Sequence, residues 1–176
     1  MKIARDMSAS VVISANLFTL AVLIVSYVLL GLLPMFLFTF GFLGCLILWF
    51  IIPTDASFRS IRAPYFLTLA FFVVHKLEER FLGLFPALSE ITGVPVPESG
   101  SFLAILLYMF AVAWLLIPFL VGRAHQFGYY LAWTFFTAMG VTELAHFIFP
   151  FFSAKTYGYF PGMASVVVLA PVAWWG

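Results

Sequence analysis

The chain has 176 residues, of which 65% are hydrophobic and 20% aromatic, and its mean hydropathy is +1.15. Its eight Lys and Arg and seven Asp and Glu residues could not cover the surface of a water-soluble protein of this size. The composition therefore excludes a soluble domain and indicates a protein surrounded by lipid, while the net charge of +1 gives no electrostatic reason to expect a nucleic-acid partner.

The first part of the chain predicts two membrane-spanning helices. No charged residue occurs from Met7 to Ile52, which at about 1.5 Å per residue is enough for two crossings of a hydrocarbon core roughly 30 Å thick. The turn between them is expected at Gly31 to Pro34. The first apolar run has no small-residue cleavage site and is followed at once by another, so we expect an uncleaved span rather than a signal peptide. Cys45, the only cysteine, is expected to serve in packing.

The rest of the chain predicts four further spans. Pro64 suits the first turn of a third helix, and Pro86 to Gly100, rich in Pro, Gly and Ser, predicts an extramembrane loop. Pro150 is expected to end the fifth helix, and the last apolar segment is short for a full crossing. We therefore predict an all-α, polytopic transmembrane helical bundle of about six spans in one integral membrane domain, residues 1–176. The expected spans are 8–31, 35–52, 64–85, 102–121, 126–148 and 161–176.

Basic residues in the connections predict how the bundle is oriented. If the spans simply alternate, five Lys and Arg residues fall on one side of the membrane and only one falls on the other. The five are Lys2, Arg5, Arg59, Arg62 and Arg123, and the one is Lys155. Because short cytoplasmic loops carry an excess of Lys and Arg, we predict a multi-pass protein of the plasma, or inner, membrane with a cytoplasmic N-terminus.

A dense run of ionisable residues ends the third predicted span. Between His75 and Arg80, every position but one carries an ionisable side chain. A charge at mid-membrane costs about 2.5 to 3.5 kcal/mol, so these residues must lie near the interface, pair with each other or face a polar interior. On a helix His75, Glu78 and Glu79 share one face, whereas Lys76 and Arg80 lie on another. The structural alternative is a helix end, where Lys76 pairs with Glu79 and Arg80 reaches the headgroups.

These spacings predict a metal site near the outer membrane surface. His75 and Glu79, at i and i+4, are spaced to hold one zinc-sized ion, with Glu78 between them as a base for bound water. Glu143 and His146, at i and i+3, repeat the pattern late in the fifth predicted span. If Tyr65 and Tyr130 mark the cytoplasmic interface, Glu79 and His146 lie at similar depth in the membrane, which allows the two pairs to meet. Alternatively, Glu143 and His146 form a hydrogen-bonded interhelical pair.

A further motif, Tyr159-Phe160-Pro161-Gly162, lies on the same predicted side of the membrane. Pro161 suits the first turn of a helix, and Gly162 allows a close approach of its backbone to another group. The Tyr159 phenol can stabilise a bound oxyanion or anchor the helix at the headgroups. His125, beside Arg123 at the opposite side, is expected to be a solvated interface residue.

Taken together, three motifs resemble the HXXEE-domain family of membrane proteins. They are His75-Lys76-Leu77-Glu78-Glu79, the later His146, and Tyr159-Phe160-Pro161-Gly162. The resemblance runs in register from Pro64 to the C-terminus and implies a membrane-bound metalloenzyme. Glu143 is not part of the family's pattern, and its assignment rests on its spacing from His146.

The leading functional hypothesis is a metal-dependent hydrolase that acts on a lipid-like or membrane-associated substrate. The cofactor expected is a divalent metal, with zinc favoured and iron as the alternative. Glu78 is the expected catalytic base, and Tyr159 is expected to stabilise developing charge. The expected metal ligands are His75, Glu79 and His146, with Glu143 as a further candidate.

Other functions use the same residues differently. An iron site that includes Glu78, Glu79 and Glu143 would favour oxidation of a lipid-like substrate. A transporter would use the carboxylates and histidines as a proton relay, but the first, second and fourth spans have no ionisable residue apart from Tyr27, Tyr108 and Cys45. A helix-assembly protein would use the cluster only to lock helices together. Peptidase activity is disfavoured, because Glu79 stands where the inverted zinc-protease motif has its second histidine.

Overall fold

The computed structural model of the protein describes residues 7–98 and 100–176. These residues form helices and connections, with no strand among them, so the predicted all-α class is confirmed. Lys2 and Arg5, on which part of the predicted orientation rests, lie outside the described residues.

Seven helices and two 3₁₀ segments account for the secondary structure of the described residues. The helices are α1 Ala9–Leu30, α2 Leu32–Ile51, α3 Phe58–Leu82, α4 Leu84–Thr92, α5 Phe102–Gly122, α6 Gln126–Gly140 and α7 Met163–Trp174. The 3₁₀ segments, Thr142–Phe147 and Phe149–Phe152, lie between α6 and α7. Within α2 the turn Met35–Thr39 is π-helical, and within α5 the turn Ala113–Leu116 is 3₁₀.

The helices α1, α2 and α5 are long and apolar enough to cross a membrane. In the most apolar window of each, only 22% to 33% of the residues are buried inside the protein. Most of this apolar surface therefore faces outward, where it requires lipid rather than water. The fold thus indicates a membrane protein, whereas α7, with 12 residues, is short for a crossing on its own.

The third helix begins earlier than predicted, at Phe58 rather than Pro64. Ser57 precedes the helix in an extended conformation, and the Ser60 backbone N–H and hydroxyl both donate to the Ser57 carbonyl, at 3.0 and 2.7 Å. These bonds start the helix at Phe58. Pro64 then lies inside it and removes only one backbone hydrogen bond.

The predicted loop from Pro86 to Gly100 is wrong in its first part, which belongs to α4. Leu84 and Leu88, one turn apart, are buried in a cluster with the end of α1, as expected of an amphipathic helix. Gly83 and Gly93, with φ of +75° and +71°, bound this helix on its two sides. The glycines therefore flank a helix instead of marking a continuous loop.

The fifth predicted span, 126–148, is not one α-helix. The helix α6 ends at Gly140 because Val141 leaves helical geometry, and the Thr142 hydroxyl donates to the Ala138 carbonyl at 2.9 Å. The chain then continues as the 3₁₀ segment. Because a 3₁₀ helix rises about 2.0 Å per residue, α6 and this segment together extend about 34 Å, similar to the thickness of a hydrocarbon core.

The bundle has two distinct ends. One buried cluster joins the end of α1, helix α4, both 3₁₀ segments and the start of α7, and we call this the site end. The helices α3 and α6 begin at the opposite end and run toward it. Arg59, Arg62 and Arg123, which lie at or before these helix starts, are therefore remote from the site end.

Cys45 and His125 lie in the surroundings that the sequence predicts. Cys45 is 1% exposed and its Sγ lies 3.6 Å from the Trp133 carbonyl oxygen, so its expected role in packing is confirmed. His125 is exposed, as expected, and its Nδ1 accepts a hydrogen bond from the Phe127 N–H at the start of α6.

Candidate metal centre

Four buried side chains from two segments of the chain meet at the site end. His75 and Glu79 lie one turn apart on α3, and Glu143 and His146 lie on the first 3₁₀ segment. A 3₁₀ helix has three residues per turn, so positions i and i+3 project in the same direction. The tighter helix therefore directs Glu143 and His146 together at α3, and the two predicted pairs meet.

The distances between these four side chains fit one small cation. Nε2 of His75 is 3.0 Å from Glu79 Oε1 and 3.3 Å from Glu143 Oε2. Nε2 of His146 is 3.3 Å from Glu79 Oε1 and 3.2 Å from Glu143 Oε2, and one ligand atom of each residue lies within 4.8 Å of all the others. Tetrahedral zinc with bonds of about 2.0 Å has ligand atoms about 3.3 Å apart. The four nitrogen–oxygen separations match this value and the remaining two lie within 4.8 Å, so the group could hold a metal ion.

The tautomer of His75 explains why a positive charge is needed there. Its Nδ1 is 2.8 Å from the Ser165 hydroxyl, which is 3.3 Å from the Gly162 carbonyl. A carbonyl can only accept, so we assign the hydroxyl proton to the bond with Gly162 and the Nδ1 proton to the bond with Ser165. In neutral His75, Nε2 then presents a lone pair to two carboxylate oxygens. Only a cation, either a proton or a metal ion, can make these contacts attractive.

His146 is held by packing rather than by a second hydrogen bond. Phe38, Phe149 and Phe160 surround its ring, with centroids 5.2, 6.3 and 6.1 Å away. Its Nδ1 is buried without a hydrogen-bond partner among the described residues. A Cβ atom added at Gly162 would overlap the imidazole, so the backbone at Gly162 forms the remaining wall of this position.

Lys76 completes the cluster, although the helical arrangement predicted it on a different side of α3. Its Nζ lies 2.7 Å from Oε2 and 2.9 Å from Oε1 of Glu79, and 3.4 Å from Oε1 of Glu143. The long side chain bends from its own face toward the carboxylates while remaining 37% exposed. The i, i+3 spacing of Lys76 and Glu79, noted only as a structural alternative, was the signal for this contact.

Glu78 points away from the four candidate ligands. Its carboxylate accepts hydrogen bonds from the Tyr159 phenol and from the backbone N–H groups of Gly162, Ala164 and Ser165, the last three at 3.1, 3.1 and 2.8 Å. Glu78 and Glu79 differ by 100° around α3, which is enough to direct Glu78 at α7. The predicted face that His75, Glu78 and Glu79 share is therefore too broad to place Glu78 among the candidate ligands.

Tyr159 is likewise directed at Glu78 instead of at the cluster. Partial burial and the neighbouring Glu78 carboxylate raise the pKa of the Tyr159 phenol, so the phenol stays protonated at neutral pH and donates to that carboxylate. The structure therefore brings together the four candidate metal ligands and leaves the two predicted catalytic residues in a separate, adjoining group.

Two contributors to the site were not singled out from the sequence: Phe38 and Ser165. Phe38 lies in the π-helical turn of α2, a local feature that is frequent at functional sites. Ser165 lies three residues after Gly162, on the first turn of α7. Neither position is recognisable without knowing which segments meet.

Comparisons with known proteins give no match: no family model, no curated protein and no solved structure matches this chain. The resemblance to the HXXEE-domain family therefore rests on its three motifs and has no further support.

Proposed function

We propose that this protein is a membrane-embedded metalloenzyme in which His75, Glu79 and His146 hold one divalent ion, with zinc favoured. The observation that carries this proposal is the position of Glu79 Oε1, which lies 3.0 Å from His75 Nε2 and 3.3 Å from His146 Nε2. Its support is the hydrogen bond from His75 Nδ1 to Ser165, which leaves Nε2 as a ligand. A zinc ion so bound would activate water as a nucleophile for hydrolysis.

Glu143 is the catalytic base in this proposal. Catalytic zinc sites typically have three protein ligands and one open position, and Glu143 is the candidate ligand that lies outside the predicted set of three. It is buried beside both histidines, and Lys76 neutralises part of its charge. Glu78 suits this role less well, because hydrogen-bond donors already occupy both of its carboxylate oxygens.

The proposed substrate is lipid-like and reaches the cluster from the bilayer. Lys76 is the partly exposed member of the group, and the apolar side chains beside it on α3, Val74 and Leu77, are exposed. We propose a six-span bundle in the plasma membrane with a cytoplasmic N-terminus. The separation of Arg59, Arg62 and Arg123 from the site end supports this orientation, in which the cluster lies near the outer surface.

The alternative functions receive less support from the contacts. Iron-dependent oxidation was expected to use Glu78 as a third carboxylate, but that carboxylate binds α7. A proton relay needs acidic or basic groups across the membrane, whereas the fully buried acidic and basic side chains of the described residues are the four of the cluster. Membership of the HXXEE-domain family remains part of the proposal, since its histidines contribute to the cluster and its Tyr159-to-Gly162 motif packs against His146.

Metal analysis of the purified full chain tests the proposal. We expect about one zinc ion per chain in the wild type and loss of that ion in His75→Ala and His146→Ala. His125→Ala is the matched control, because it removes a histidine at the opposite end of the bundle and should leave the metal content unchanged. Folding is checked by thermal unfolding of each variant. Equal, negligible metal in the wild type and in every variant would overturn the metalloenzyme.

The Glu143→Gln variant tests whether Glu143 acts as a catalytic base or as a fourth metal ligand. With a nitrophenyl ester of a medium-chain fatty acid as probe, we expect this variant to retain zinc and to lose the zinc-dependent hydrolysis shown by the wild type. Glu90→Gln, which changes an exposed carboxylate, should retain both. Loss of zinc in Glu143→Gln would instead make Glu143 a ligand and would argue against the open position that hydrolysis requires.

A further inference from the structure

The N-terminus of α7 has an unusual cap. The residue at the N-cap position is Gly162, which has no side chain to accept hydrogen bonds from the first turn. Glu78 supplies the missing acceptor from α3: its Oε1 accepts from the N–H groups of Gly162 and Ala164, and its Oε2 accepts from Ser165. A carboxylate also suits the positive end of the helix dipole.

The need for this remote cap follows from His146. Gly162 has a φ of +101°, and any Cβ at this position would overlap the imidazole ring. The usual capping residues, Ser, Thr, Asp and Asn, are therefore excluded from the N-cap. Because Gly162 packs closely against His146, α7 depends on Glu78 for its N-terminal cap.

The capped turn also reaches the other candidate ligand. Ser165 donates its backbone N–H to Glu78 Oε2 at 2.8 Å and accepts from His75 Nδ1 at 2.8 Å. Glu78 thereby holds Ser165 in place, and Ser165 in turn determines which ring nitrogen of His75 carries the proton. The Tyr159 phenol adds a bond to the same carboxylate from the preceding loop.

We propose that Glu78 is a positioning residue, which holds the segment from Tyr159 to Ser165 so that Ser165 orients His75 and Gly162 packs against His146. This inference deepens the proposed function and rests on it for the metal, but it assigns Glu78 a role other than the expected catalytic base. Partners that orient a ligating histidine commonly change metal affinity by about 10-fold to 100-fold.

Zinc titration of the purified full chain tests this role. Glu78→Ala and Ser165→Ala should each weaken zinc binding by about 10-fold to 100-fold, and Glu90→Ala, which removes an exposed carboxylate, should not. If Glu78 acts through Ser165, the double variant should bind zinc about as well as the weaker single variant. Independent losses that multiply in the double variant, or wild-type affinity in Glu78→Ala, would overturn the proposal.

A second measurement needs no metal and a milder variant. In Glu78→Gln the amide oxygen can still accept from Gly162 and Ala164, so the fold should persist, but the amide NH₂ cannot accept from Ser165. In ¹⁵N-histidine spectra of the metal-free protein, we expect the hydrogen-bonded His75 Nδ1–H signal in the wild type and in Glu90→Gln. Its loss in Ser165→Ala and Glu78→Gln would support positioning, and an unchanged signal in Glu78→Gln would refute it. If the wild type shows this signal but binds no zinc, the proposed metal site is refuted and the positioning role of Glu78 is not.

Discussion

At the scale of single residues, the candidate site depends on a glycine whose lack of a side chain permits close packing. Gly162 must lack a side chain for two reasons, its φ of +101° and the contact of its backbone with His146. Only the first reason is general to glycines, because L side chains disfavour this conformation wherever it occurs. The second is specific to the site and can be measured separately.

Gly162→Ala should destabilise the protein far more than Gly93→Ala. Gly93 also has a positive φ, of +71°, but a Cβ there meets no atom within 4 Å, so its replacement should cost about 1 kcal/mol of unfolding free energy. Gly162→Ala adds overpacking against His146 and should cost about 3 kcal/mol in total. Chemical unfolding in detergent measures both values. Equal costs would show that the His146 contact is unimportant.

Lys76→Met tests the balance of charge in the cluster. Removing the ammonium leaves two buried carboxylates without their cation, and because Lys76 is partly exposed we expect a loss of about 2 kcal/mol in metal-free protein. Added zinc should restore part of this stability, since the ion takes over the neutralisation. Lys155→Met removes the exposed partner of Glu90 and should change stability by less than about 1 kcal/mol. Similar losses from both variants would contradict a special role for Lys76.

At the scale of secondary structure, the site is assembled where helices depart from regular α geometry. The π-helical turn of α2 carries Phe38, and the 3₁₀ segment carries Glu143 and His146. The two segments can lie close together because Gly41, next to the π turn, has no side chain: a Cβ there would overlap the Thr142 methyl group. The backbone of α2 therefore supports the segment that bears half of the candidate ligands.

Gly41→Ala and Gly44→Ala form a matched pair on α2. A Cβ at Gly44 meets no atom within 4 Å, so Gly44→Ala should be neutral or stabilise the helix by up to about 1 kcal/mol. Gly41→Ala should displace Thr142 and with it Glu143 and His146, which lowers both stability and zinc affinity. Zinc titration and thermal unfolding of the two variants provide the comparison. Unchanged zinc affinity in Gly41→Ala would mean that the 3₁₀ segment does not depend on α2.

At the scale of the whole molecule, the protein has an apolar exterior and a small polar interior at one end. The helices α1, α2 and α5 direct most of their surface outward, while Lys76 and Glu79 of α3 pair with other charged or titratable groups inside the cluster. A charge that is paired inside the bundle avoids most of the cost of contact with lipid. This arrangement explains how a helix with so many ionisable residues can belong to a membrane protein.

Cysteine labelling can determine the orientation of the bundle. Cys45 is 1% exposed, so it should give little background with a membrane-impermeant maleimide. We expect Lys155→Cys to react in intact cells and Arg59→Cys to react only after the membrane is permeabilised, because the two positions lie at opposite ends of the bundle. The reverse pattern would place the N-terminus outside and the candidate metal centre near the cytoplasm.

The sequence by itself determined the helical class, the need for lipid and the identity of the four candidate ligands. These properties depend on composition and on spacing along one segment, as in His75 with Glu79 or Glu143 with His146. The tertiary structure decided which neighbours these ligands have. It turned Glu78 toward α7, brought Lys76 to Glu143 and placed Ser165 behind His75, because such contacts depend on how separate helices pack and not on the period of any one of them.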